Sequence, residues 1–311
     1  MRDKLYWTVA ALLAGTLLFL GRGYLQGRLL LTWTLVFAGT TAAGVLLVSL
    51  YRVRMELRES RHELTRKEAE LSFAYEVQRA LFPQSLPVGR GLEFAAAYVP
   101  ARGIGGDYYD VLELADGRLG FAVADISGKG ISAAILMANL QALLRTLAST
   151  SASLAELGAR MNRHVHDVTA GSKFATLFYA EWDVAERQLR YVNAGHNPPF
   201  LLGPHRCLRL DEAGVPLGLF PETQIPVAEV SLEPGDLLVL YSDGITERGA
   251  HYGEEFGEQR LEDLLSAHRS EPLERIQSRV LAAVDDWSGR EAEDDMTLVL
   301  VRTTGKPGEV V

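Results

Sequence analysis

The sequence predicts an α+β fold in which antiparallel sheets and helices form sandwich layers, preceded by a two-helix apolar hairpin and a helical linker. Three observations predict it. Two uncharged runs open the chain, a charged stretch free of Gly and Pro follows, and from about residue 88 to 303 short apolar strands alternate with amphipathic helices across short turns.

The first run, residues 5–21, has no charge over 17 residues, and the second, 29–51, has none over 23. About 20 apolar residues cross the hydrocarbon core of a bilayer, so the second run is a full span and the first is at the short end. A cleaved signal peptide is the competing reading of the first run, given its basic "MRDK" start, but no small-x-small site followed by polar sequence precedes the second run. Arg52, Arg54, Arg58, Arg61, Arg66 and Lys67 follow the second run, and Arg2 and Lys4 precede the first. Both ends are therefore expected on the cytoplasmic side, joined by a loop too short for an external sensor domain.

Residues 52–82 read as one helix ended by Pro83 and Pro87. Leu57, Leu64 and Leu71 repeat every seven residues, with Val53, Ala74 and Leu81 on the partner seam, which Ser60 and Lys67 interrupt. The pattern suits a weak two-stranded coiled coil, or a single solvated helix. Residues 83–304 form the expected globular domain, and 305–311 the expected disordered tail. Strands are expected at 91–101, 119–127, 173–183, 188–202, 235–244 and 295–303, and helices at 131–148, 153–168 and 273–287. Short connections between successive strands favour antiparallel pairing.

Charge divides the chain the same way. Residues 1–82 carry 11 Lys and Arg against 7 Asp and Glu, and the remaining 229 carry 20 against 33. An acidic body argues against nucleic acid as a partner. The lone Cys207 excludes an intramolecular disulfide framework and a cysteine-built zinc site, and suits a reducing compartment.

Aspartates recur where apolar strands end: Asp107 in "GIGGDYYD", Asp125 in "FAVADISGKG", Asp243 in "LLVLYSDGITE", and Asp294 and Asp295 in "EAEDDMTLVL". One such aspartate is ordinarily a turn or cap residue. Four in matching contexts, with few histidines, suit a hard-oxygen site for Mg²⁺ or Mn²⁺, whose paired ions can clamp a phosphoryl group. Gly128 and Gly130 would let backbone approach a ligand at the start of the next helix, where Lys129 either faces an anion or is a solvated surface lysine. A P-loop is excluded, because residue 123 is Val and residue 130 is Gly. Cys207 lacks a following phosphate-cradling arginine, and no G-x-S-x-G occurs. His196 in "NAGHNPP" could assist proton transfer, although a structural turn histidine is the preferred reading.

Seven ordered motifs, "VQRALFP", "YVPARGIGGDYYD", "VADISGKGISAAILM", "NAGHNPPFLL", "GVPLGLF", "GDLLVLYSDGITE" and "DDMTLVLV", closely resemble the bacterial SpoIIE/RsbU-type PPM phosphatases, relatives of eukaryotic protein phosphatase 2C. The resemblance covers about residues 74–303 and leaves out the hairpin. It implies an α-β-β-α sandwich of two antiparallel sheets, with a site for two divalent cations, Mn²⁺ or Mg²⁺, at one edge. On that resemblance Asp107 would bridge both ions. Asp125 and the carbonyl of Ile126 would hold the first, and Asp243 and Asp294 the second, Asp294 being preferred to Asp295 as the first residue of its "D-[DN]-x-T" run. Arg102 stands at the offset of a phosphate-binding arginine, and Asp110 would be a supporting neighbour or a turn residue. The implied reaction is hydrolysis of phosphoserine or phosphothreonine on a regulatory protein, typically a STAS-domain anti-anti-sigma factor. With the apolar runs and their basic flanks, the expected setting is the bacterial cell membrane, with two spans, a cytoplasmic catalytic domain and a homodimer through the 52–82 helix. Two other readings stay open: a diguanylate-cyclase-like enzyme, suggested by "GGD" beside a membrane hairpin, and a catalytically silent partner-binding module.

Overall fold

The computed structural model describes residues 2–22, 29–101, 103–115, 117–250, 253–288 and 294–305. The chain divides into two compact units, residues 1–70 and 71–311.

The first unit holds α1 (Arg2–Arg22) and most of α2 (Leu29–Leu81). α2 is one uninterrupted helix of 53 residues that takes in both the second apolar run and the charged stretch after it. No Gly–Pro break separates its apolar half from its charged half, so nothing ends the hydrogen-bond ladder before the Leu81–Pro83 turn. By length and composition its apolar part could cross a membrane. Apolar side chains including Trp7, Leu18 and Leu35 are exposed.

The second unit is a four-layer sandwich. One sheet runs in the order β1 (Leu92–Val99), β10 (Met296–Thr303), β9 (Leu237–Tyr241), β6 (Phe200–Leu202), β7 (Cys207–Arg209). The other runs β2 (Tyr108–Glu113), β3 (Leu119–Ile126), β4 (Ala175–Asp183), β5 (Gln188–Ala194), β8 (Val227–Ser231). Every paired strand is antiparallel. Helices α3 (Ile131–Thr150) and α4 (Leu154–Thr169) cover the β2–β8 sheet, and α6 (Gly257–His268) and α7 (Leu273–Ser288) cover the β1–β7 sheet. The short α5 (Asp243–Thr246) follows β9.

Strand parity decides which side chains meet between the sheets, because successive residues point to opposite faces. On β3, Ala122, Ala124 and Ile126 pack towards α3, while Phe121 and Val123 join the core between the sheets. On β10, Leu298 and Leu300 face the outer helices and Val299 and Val301 face inwards. Because both faces are buried, these strands read as continuous apolar runs. The same parity turns Asp125 and Thr297 inwards, at one end of the sandwich.

Four features depart from the expectations. The run 188–202 is two strands in different sheets, parted by a turn at Gly195 with φ 69° and by Pro198 and Pro199, which cannot donate to a ladder. β2 begins at the end of the glycine-rich stretch that reads as a turn and runs three residues beyond it. β8 is an edge strand, and α6, with few apolar positions, leaves only a weak helical signature. Of the expected tail, residues 306–311 lie outside the described residues.

Candidate active site

Four aspartates mark one edge of the sandwich, two where the chain enters a strand and two where it leaves one. Asp107 precedes β2, Asp125 is the penultimate residue of β3, Asp243 opens α5 directly after β9, and Asp294 precedes β10. Asp107 is only 2% exposed. The Thr297 hydroxyl donates to its Oδ2 at 2.6 Å, and the Ser242 hydroxyl supports it as well. Ser242 and Thr297 also join each other, Thr297 N donating to Ser242 Oγ at 2.9 Å and Ser242 N to Thr297 O at 3.0 Å. The Thr297 hydroxyl of β10 thus reaches the carboxylate that precedes β2 of the other sheet, while Ser242 Oγ also donates to Asp295 O at 3.3 Å.

Carboxylates crowd one another here. Burial, and then the Asp125 charge, hold the Asp107 carboxyl well above the usual carboxylate range. Burial, with Asp243 and Asp294 nearby, pushes Asp125 up to about 7, and burial, with Glu247 and Asp294, pushes Asp243 up to about 6. Asp107 and Asp125 are thus two buried carboxyls whose charged forms repel each other. A divalent cation would offset that repulsion, and the all-oxygen donor set suits Mg²⁺ or Mn²⁺. The residues present therefore fit such an ion. Among the described residues, no three His, Cys, Asp or Glu side chains are already gathered around one point. The side chain of Asp294, 45% exposed, is instead turned to Lys129, Oδ2 to Nζ 2.6 Å.

Glycines set the clearances. A Cβ on Gly106 would stand 2.9 Å from the Ile126 carbonyl oxygen, so that carbonyl lies directly against the Asp107 loop. A Cβ on Gly105 would overlap the Asp295 carboxylate. Asp295 serves the loop from behind: its Oδ1 accepts from Ala101 N at 2.9 Å and its Oδ2 from Gly106 N at 2.8 Å. Of the two adjacent aspartates, the buried Asp295 is spent on backbone, while the half-exposed Asp294 is held by Lys129 and accepts from Asp295 N at 2.9 Å. Arg102 lies outside the described residues.

His196 is buried, its Nδ1 2.8 Å from Thr176 Oγ1 and its backbone tied to Asn193 in both directions. Burial pushes its imidazole down to about 4, which keeps it neutral near neutral pH. Sequence reasoning passed over three residues. Gln78 near the end of α2 grips the loop, Nε2 donating to Gly105 O at 2.7 Å and Oε1 accepting from Gly105 N at 3.2 Å. Thr297 and Ser242 stand inside the motifs "DDMT" and "YSDG", so a hydroxyl beside each aspartate was the available signal.

A family model described as Stage II sporulation protein E (SpoIIE) matches residues 115–304, well over half of the chain. The chain belongs to the SpoIIE family. Phosphoserine phosphatase RsbU of Bacillus subtilis, a similar protein, is 29% identical over 255 residues, covering 81% of this chain and 74% of RsbU. Protein IcfG of Synechocystis is 28% identical over 263 residues, 75% of this chain, and the chain spans only 41% of its length. The solved RsbU and RsbW domains of Rv1364c from Mycobacterium tuberculosis superpose with a TM-score of 0.62 at 31% identity, covering 72% of this chain and 62% of that one. The SiaA-PP2C domain of Pseudomonas aeruginosa superposes at 0.69 with 23% identity, over 77% of this chain and 98% of that domain, a likeness of fold. The SpoIIE-family body thus has the PP2C-like sandwich, and membership removes the diguanylate-cyclase reading. Asp107 lies before the matched range, while Asp125, Asp243 and Asp294 lie within it.

Proposed function

We propose that the chain is a metal-dependent protein phosphatase hydrolysing phosphoserine or phosphothreonine on a regulatory protein, of the STAS-domain anti-anti-sigma type. The observation that carries the reading is the gathering of the Asp107, Asp125, Asp243 and Asp294 carboxyls at strand ends along one edge of a SpoIIE-family domain, close enough to repel one another. A silent binding module would have no use for so costly a cluster of buried carboxylates.

Asp107, Asp125, the Ile126 carbonyl, Asp243 and Asp294 would hold two divalent cations. Such ions, when bound, polarise a phosphoryl group and supply hydroxide at neutral pH. The chain's own groups prepare that state. Thr297 and Ser242 fix the Asp107 carboxylate, Asp295 fixes the backbone of its loop, and burial restricts water. Lys129 neutralises Asp294 and stands at the mouth of the site, where a substrate phosphate could compete for its ammonium. Arg102 would be a second phosphate contact.

The test is Mn²⁺-dependent phosphate release from para-nitrophenyl phosphate and from phosphorylated STAS-domain proteins. Wild type should be active on both, and Asp107→Asn and Asp243→Asn inactive. An active wild type indifferent to both substitutions would reject the assignment.

The apolar hairpin is proposed to anchor the domain in the bacterial membrane with its catalytic body in the cytoplasm, and the charged half of α2 to pair two copies. Removing residues 1–70 leaves the Gln78 contact in place. If the protein without them matches the full chain in lipid, in both rate and oligomeric state, the hairpin and helix have no such role.

A further inference from the structure

Asp110 has no exposure to solvent and lies on β2, three residues after Asp107 in the chain. Strand parity turns it away from the space between the sheets, with Tyr108, towards α3. There Arg145 meets it with both arms of its guanidinium, Nε donating to Oδ2 at 2.7 Å and Nη2 to Oδ1 at 2.9 Å. The Tyr108 hydroxyl and Val111 N supply two more hydrogen bonds. Four donors therefore fill the carboxylate, and Arg145 is the charged one.

The placement of α3 gives this pair reach. The helix begins at Ile131, just after the Asp125–Gly130 loop, and Arg145 lies fourteen residues further along it. One helix is thus joined at its start to the Asp125 loop and pinned by Arg145 to the strand that Asp107 precedes. A buried carboxylate that loses its cation keeps its charge only if water reaches it, and hydration draws its strand outwards. Only Tyr108 and Tyr109 separate Asp110 from Asp107.

We propose that Arg145 is a positioning residue of the metal centre: its bidentate grip on Asp110 holds the start of β2 against α3 and thereby sets Asp107 beside Asp125. This rests on the metal-site reading above. Lysine could keep the charge but not the two-armed geometry.

The test is calorimetric titration of the full chain with Mn²⁺, alongside thermal unfolding, for wild type, Arg145→Gln, Arg145→Lys and Asp110→Asn. Arg145→Gln should weaken Mn²⁺ binding about 10- to 100-fold, in the range for groups that orient metal ligands. Arg145→Lys should fall between it and wild type, and Asp110→Asn combined with Arg145→Gln should cost little beyond either alone. The Mn²⁺ concentration for half-maximal phosphate release should rise by the same factor. A lower unfolding temperature with wild-type Mn²⁺ affinity in Arg145→Gln would make the pair merely structural and overturn the proposal. Should that variant fail to fold, wild-type affinity in Arg145→Lys would overturn it equally. Wild type that binds no Mn²⁺ would instead overturn the metal-site reading, and this proposal with it.

Discussion

A carboxylate as buried as Asp107, supported by hydroxyls and pressed by a second carboxylate, is costly to a metal-free chain. Its support should matter in proportion: Thr297→Val, which keeps the shape and removes the donor, is expected to lower Mn²⁺ affinity by roughly 10- to 100-fold, read by titration calorimetry. The crowding also sets a pH dependence. Asp125 and Asp243 lie at about 7 and about 6 when folded, above the ordinary unfolded value. Between the unfolded and folded values the folded chain binds more protons, so its stability falls as pH rises. Chelated protein should therefore lose thermal stability between about pH 4 and pH 7, and Mn²⁺ should reverse most of that loss at the upper end. A flat profile without metal would contradict the crowding. Gly105→Ala should destabilise by about 1–3 kcal/mol in chemical denaturation, since its Cβ would overlap the Asp295 carboxylate.

At the scale of elements, local signals were readable where local physics decides. α4 begins at Ser153, whose Oγ accepts from Glu156 N at 3.2 Å, while Glu156 Oε2 accepts from Ala152 N at 2.9 Å. This reciprocal cap is written in "SLAE", and Ser153→Ala should cost about 1 kcal/mol of stability by denaturant titration. The aspartates at strand ends were legible for a similar reason: apolar runs end where the chain meets water or a ligand. Contacts between distant segments were not. Arg145 and Asp110 are 35 residues apart, and Gln78 and Gly105 are 27, and no periodicity joins either pair. β2 was hidden because its two tyrosines and Asp110 follow three glycines, while its burial comes from α3 and the opposite sheet. The division of 188–202 between two sheets was equally invisible, since each half is apolar by itself. Gln78→Ala would leave the buried N–H and C=O of Gly105 without this partner, an expected loss of about 1–3 kcal/mol in thermal unfolding.

Across the whole molecule, composition and structure divide at different points. The charge boundary lies near residue 82, yet the compact body begins at residue 71, because the last turns of α2 contribute Gln78 and Leu81 to it. An acidic, PP2C-like body and N-terminal helices with exposed apolar side chains fit one proposal, a phosphatase held at a membrane, in which the four strand-end aspartates take up metal together. The most direct measurement of that claim is calorimetric titration with Mn²⁺ at neutral pH in two buffers of different ionisation enthalpy. Wild type should take up two ions and release protons as they bind, because burial and mutual repulsion raise the Asp107 and Asp125 carboxyls in their absence. Asp107→Asn should lose both ions. Uptake of two ions by Asp107→Asn, or none by wild type, would contradict it.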